Sequence, residues 1–149
     1  MPNSTATFSR LTPILTTNDM DATIAFYRDM LGFKVTAQIP DENPTWCFLL
    51  RDDAAIMFTT PEEHDHDHDK DDGHSHDHGE DGGHDHDHEH SGADGLWTMY
   101  VYSEGVESLW DEFKDDPKME YPLYDTHYGM REFGMRDCDG NMLSFGRDV

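Results

Sequence analysis

Basic residues are scarce in this chain. Ten Lys and Arg stand against 33 Asp and Glu, and the formal net charge is −23. So acidic a chain cannot neutralise a run of phosphates, which excludes sequence-independent DNA or RNA binding and disfavours an anionic membrane surface. Long apolar runs are missing as well. None approaches the roughly 20 residues that cross a bilayer, so no membrane partner is expected. The opening MPNSTATFSRLTPILTTND has no basic start followed by a hydrophobic stretch, so no secretory signal is expected. Cysteine is reduced to Cys47 and Cys138, far apart in the chain. That is no disulfide framework; two thiols in a cytoplasmic protein are expected instead.

Histidine is nearly absent from most of the chain and crowded into one piece of it. Residues 61–95 hold ten of the 11 histidines and fourteen of the 33 acidic residues, with Lys70 the one basic side chain and Ala93 the one apolar side chain. Such a segment cannot bury a core, so a disordered His/Asp-rich loop is expected there. The rest reads as one domain, 1–149, with a first module over about 8–60 and a second over about 96–149. The histidines fall in three clusters: HDHDHD at 64–69, HSHDH at 74–78 and HDHDHEH at 84–90. His64, His66, His68, His74, His76, His78, His84, His86, His88 and His90 are therefore candidate ligands for transition metal ions, with Zn or Ni the fitting choice. In an extended chain, alternate histidines project about 7 Å apart, so chelation needs a bend, which the glycine linkers allow. A low-specificity metal sink or sensor competes here with a plain low-complexity insertion.

The two flanking modules repeat one order of elements. Leu11–Thr17 suits a strand. Asn18 or Asp19 can cap a helix whose Ile24, Tyr27 and Leu31 share a face, with Phe26 beside it, and Gly32 suits its left-handed end. Strands follow at Phe33–Ile39, Trp46–Leu50 and Ala54–Thr59. In the second module Leu96–Tyr102 alternates, and Ser103 or Glu104 can cap a helix with Val106, Leu109, Trp110 and Phe113 on one face. Short strands are expected at Tyr121–Leu123, Arg131–Arg136 and Met142–Gly146, the last two joined by an Asp-Gly hairpin. The fold class is α+β: two βαβββ modules.

Two stretches carry a family resemblance. LTPILTTNDMDATIAFYRDMLGFKV (11–35) resembles the opening strand, helix and L-G-F exit of the vicinal oxygen chelate superfamily, which includes glyoxalase I, bleomycin resistance proteins and extradiol dioxygenases. YGMREFGMRDCDGNMLSFG (128–146) resembles its closing R-E-F-x-V-x-D-P-D-G-N hairpin, with Cys138 where proline is usual. The resemblance implies two modules whose mixed sheets form a cup, often completed in a homodimer. It also implies four metal-ligand positions, which fall on Thr12, Met57, Leu96 and Ser144. None of these is an imidazole, carboxylate or thiolate, so no cofactor is expected in the cup.

Alternation aims Thr98, Tyr100 and Tyr102 at the cup, together with Met57, Met142 and Ser144; Trp46 is a further candidate whose phase the sequence leaves open. Trp97, Met99, Val101, Leu143 and Phe145 are expected in the core. An aromatic, sulfur-containing lining suits a flat or amphipathic small-molecule ligand. Catalytic candidates are few. His127 stands in a loop, Arg131 or Glu132 can point inward, and Cys138 sits between acidic neighbours that disfavour a thiolate. The leading reading is a metal-independent binder similar to the bleomycin resistance branch, which sequesters its ligand unchanged. A glyoxalase- or dioxygenase-like metalloenzyme and a metal-handling protein that uses the His-rich loop are the alternatives.

Overall fold

The computed structural model describes residues 9–61 and 96–149. All ten clustered histidines lie outside the described residues. The element order is β1 (Ile14–Thr16), α1 (Met20–Ala25), β2 (Lys34–Ile39), β3 (Trp46–Arg51), β4 (Ala54–Thr59), β5 (Thr98–Tyr102), α2 (Val106–Phe113), β6 (Met119–Asp125), β7 (Met130–Arg136) and β8 (Met142–Asp148). Each module thus builds a four-stranded mixed sheet. The strand orders are β1-β4-β3-β2 and β5-β8-β7-β6, with the first strand of each module parallel to its last.

Local chemistry accounts for the element ends. The Asp19 carboxylate accepts from Ala22 N–H at 2.9 Å and caps α1, as expected of an N-terminal aspartate. The helix then widens into a π turn, Phe26–Met30, in which Leu31 N–H reaches Phe26 O. The wider turn lets two successive aromatics, Phe26 and Tyr27, both be buried. Gly32 ends the segment at φ +70°, a conformation that suits glycine. The second helix differs from expectation at its start. Its N-cap is Gly105, and neither Ser103 nor Glu104 caps it.

The core sits between helices and sheets. Leu15, Ile24, Tyr27, Leu31, Cys47, Leu49, Ile56 and Phe58 of the first module join Val106, Phe113, Phe133, Met135, Leu143 and Phe145 of the second in one buried cluster. Met99 and Val101 pack against it as expected. Trp97 does not: it precedes β5, where strand alternation no longer holds, and is 54% exposed. A polar clasp joins the modules. Tyr27 Oη donates to Asp137 Oδ2 at 2.9 Å, and the same buried carboxylate accepts from Asn141 Nδ2 and from the backbone N–H groups of Asp139 and Asn141. Burial beside Asp137 pushes the Tyr27 phenol well above its usual range.

Candidate functional site

The sheet register determines which side chains share the face away from the helices. In the second module two rows run across that face. One is Tyr100–Ser144–Gly134–Tyr121; the next is Tyr102–Gly146–Glu132–Tyr124. The large side chains stand on the outer strands, β5 and β6. The inner strands carry glycine, serine and one carboxylate. Any Cβ at Gly134 would collide with the Tyr121 ring, and one at Gly146 with the Tyr100 hydroxyl, so both glycines are what lets these rings lie over the sheet.

Glu132 lies at the bottom of this bowl and is 4% exposed. Tyr100 donates to its Oε2 at 2.8 Å and Tyr128 to its Oε1 at 2.8 Å, while the Tyr121 hydroxyl lies 3.3 Å from Oε1 and 2.7 Å from Ser144 Oγ. Phenols that donate to a carboxylate resist ionisation. Burial first and Glu132 second raise Tyr100 far above its ordinary range, and the Glu132 hydrogen bond pushes Tyr128 up to about 12. Tyr102 packs on Tyr100 at 5.0 Å between ring centres, and Tyr124 stands edge-on to Tyr121 at 5.9 Å. His127, exposed in the turn, stands edge-on to Tyr128.

The expected ligand-lining residues separate into two sets. Thr98, Tyr100, Tyr102, Met142 and Ser144 come together on the second sheet, where Thr98 pairs with Met142 and Tyr100 with Ser144. Met57 and Trp46 lie on the first sheet. Cys47 and Leu49 are fully buried on the helix side, which sets Trp46 on the opposite face with Phe48, the partner of Met57. Between Arg131 and Glu132 the structure selects Glu132 for the bowl; Arg131 turns toward α2 and pairs with Glu107 and Asp125. Cys138 borders Thr23 and Asp139, and burial is the first cause that raises its thiol pKa.

Sequence reasoning missed Tyr121, Tyr124 and Tyr128. Their signal was compositional: five of the six tyrosines fall in the second module. A cavity of about 350 Å³ opens beside the bowl, between Leu11, Pro13 and Ala55 of the first module and Met99, Tyr100 and Tyr102 of the second. A larger one, about 730 Å³, lies by the Arg51–Asp53 turn and the start of α2 and shares just Tyr102 with the expected lining. The smaller cavity touches the bowl at Tyr100 and Tyr102 and is otherwise lined from the core side, by Met99, Val101, Leu143 and Phe145.

The family model described as Glyoxalase/Bleomycin resistance protein/Dioxygenase superfamily matches residues 7–145. The chain belongs to that superfamily. No curated protein sequence matches the chain significantly. Among solved structures, TioX from Micromonospora sp. ML1 is 17% identical, with 95% of this chain and 100% of TioX covered at a TM-score of 0.67. Lactoylglutathione lyase from Agrobacterium tumefaciens is 19% identical, with 95% of each chain covered and a TM-score of 0.63. A bleomycin-binding protein complexed with bleomycin is 18% identical, with 95% and 100% covered and a TM-score of 0.60. At these identities the likeness is one of fold.

The superfamily includes metal-dependent enzymes, so the donors at the four implied positions matter. Met57 stands beside Ile14 on β1, and Ser144 lies on β8. Leu96 needs correction. It precedes β5, toward Gly140 at the β7–β8 turn, and the β5 residues beside Met142 and Ser144 are Thr98 and Tyr100. The corrected set still lacks imidazole, carboxylate and thiolate. The nearby Glu132 carboxylate already accepts from phenols. Among the described residues no group of three or more His, Cys, Asp or Glu side chains stands together. This donor set does not fit a divalent ion of the kind such enzymes hold.

Proposed function

We propose that this protein is a small-molecule-binding member of the superfamily, one that sequesters its ligand unchanged and without a metal in the cup. The observation that carries this reading is the tyrosine bowl of the second sheet, exposed at its rim and gathered at its base on Glu132. It offers stacking surfaces and hydrogen-bond acceptors. No nucleophile paired with a general base stands on it among the described residues. The ligand-lining residues are Thr98, Tyr100, Tyr102, Met142 and Ser144, with Met57 and Trp46 from the first sheet. Bleomycin binding by a structural neighbour supports small-molecule capture as the type of function.

A second copy of the chain is the natural cover for the exposed Leu11, Ile14 and Ile39, so the working form is a homodimer in the cytoplasm. The His/Asp-rich segment adds Zn or Ni binding of its own. Mass spectrometry of small molecules released from purified protein tests the reading. A released, unmodified organic ligand is expected. Turnover of that ligand, with a metal ion retained after residues 62–92 are deleted, would replace the binder by the metalloenzyme.

A further inference from the structure

Glu132 is a buried carboxylate without a cation. None of the ion pairs among the described residues includes it. The arginines on its own strand and on β8 are committed elsewhere: Arg131 to Asp125 and Glu107, Arg147 to Glu107, and Arg136 to Glu120 and Gly140 O. The groups that meet Glu132 are instead the three phenols of Tyr100, Tyr121 and Tyr128. Each spends its single proton within the cluster, so what the cluster turns toward an incoming molecule is phenolic lone pairs and π faces. Such a surface accepts hydrogen bonds and attracts positive charge, and these three phenols have no proton left to give an anion.

The rim adds aromatic faces. Tyr102 and Tyr124, both well exposed, flank the same base, and their rings stand against Tyr100 and Tyr121. Aromatic rings around a buried negative charge form the arrangement in which a cation gains both from ring quadrupoles and from the carboxylate. The exposed rings of Tyr102 and Tyr124 can stack on the uncharged body of the same molecule.

We propose that the bowl formed by Tyr100, Tyr102, Tyr121, Tyr124 and Tyr128 over Glu132 is the subsite for a cationic amine, so that the ligand class is an apolar or aromatic molecule with an ammonium group. This inference rests on the small-molecule-binding reading and narrows it. A paired-probe titration tests it: 2-(2-naphthyl)ethylammonium against the neutral 2-(2-naphthyl)ethanol, followed by calorimetry on the full chain. The ammonium probe should bind about tenfold tighter, as a desolvated cation–π contact allows. Glu132→Gln should bring the two probes to near-equal affinity. Tyr102→Ala, at an exposed position whose side chain makes no hydrogen bond among the described residues, should weaken the ammonium probe about two- to fivefold and tests the rim if Glu132→Gln unfolds. Equal binding of both probes to wild type would overturn the amine subsite and leave the binder standing. Binding of neither probe by a folded protein would overturn the subsite and count against the binder, and a preference unchanged in both variants would move the amine elsewhere.

Discussion

The two sheets share one strand order, yet they distribute bulk in opposite ways. The first-module rows that match the bowl are Ile14–Met57–Phe48–Ala37 and Thr16–Thr59–Trp46–Ile39. There Met57, Phe48 and Trp46 fill the inner strands. In the second module the inner strands hold Ser144, Gly134, Gly146 and Glu132, and the aromatic rings stand on the outer ones. A repeated backbone thus gives a face filled by its own inner strands in one half and one roofed by tyrosines from the outer strands in the other. The scaffold is common; the chemistry lies in which strand carries the side-chain volume.

Removing the segment between the modules is the strongest way to sharpen this comparison. Deleting residues 62–92 should abolish Zn²⁺ and Ni²⁺ binding in a calorimetric titration at pH 7.5, since neither sheet offers imidazole clusters among the described residues. In the intact chain the same binding should fade as protons compete for imidazole, around pH 6.5. Metal-free thermal stability should change little, because shortening a loop alters closure entropy by on the order of 1 kcal/mol. One tight ion that survives the deletion would return the metalloenzyme to consideration.

Next in size is the contrast between the two inter-strand turns. Asp137 accepts four hydrogen bonds and joins the modules, whereas Asp53, in the corresponding β3–β4 turn, is exposed. Asp137→Ala leaves buried donors unpaired and should cost about 3 kcal/mol in urea unfolding. Asp53→Ala should stay within about 0.5 kcal/mol. Equal losses would mean that both turns bear on the module junction.

Much of this was legible in the chain, and the failures have physical causes. β4 spans Ala54–Thr59 as expected because an uninterrupted apolar run is bounded by Asp52-Asp53 and Thr60-Pro61. The apolar face of α2 was equally plain from its spacing. The bowl was half legible. Tyr100 and Ser144 follow strict alternation, but β6 carries register shifts between Met119 and Tyr121 and between Tyr121 and Tyr124. Those irregularities put an odd and an even position on one face, which a period of two cannot foresee. Tyr128 reaches Glu132 from a turn, where no period applies. Leu96 and Trp97 were misplaced for a related reason: alternation was extended past the start of β5 at Thr98.

Smaller effects should follow from a side chain placed under the Tyr121 ring. A methyl at Gly134 displaces the middle of the Tyr121 ring, which cannot step aside as a flexible chain end would. Gly134→Ala should cost about 1–3 kcal/mol and loosen the grip on Glu132, read as weaker binding of the naphthylethylammonium probe. The first module already has Phe48 at the matching position, paired with Ala37 rather than a tyrosine. If Gly134→Ala leaves both stability and binding unchanged, the Tyr121 ring does not need the glycine beneath it and the contrast between the sheets loses its cause.

The smallest expected effect separates the helices. Glu107 on α2 receives Arg147 and Arg131 from the sheet, and chiefly through Arg147 its carboxyl falls from an ordinary 4.5 to about 2. Its folded pKa is lowered, so the stability it contributes is complete above about pH 4.5 and is lost as pH falls through about 2. Because these groups are largely exposed, solvent screens the pair and the loss should be modest. The first module's nearest analogue, Asp29 beside Arg28, joins adjacent residues that can meet in the unfolded chain as well, so its lowered pKa carries little dependence on folding. Urea midpoints at pH 4.5, 3.5 and 2.5 should therefore fall less steeply in Glu107→Gln than in wild type, while Asp29→Asn follows the wild-type curve. Parallel curves for Glu107→Gln and wild type would mean that the arginines on β7 and β8 do not tie α2 to its sheet.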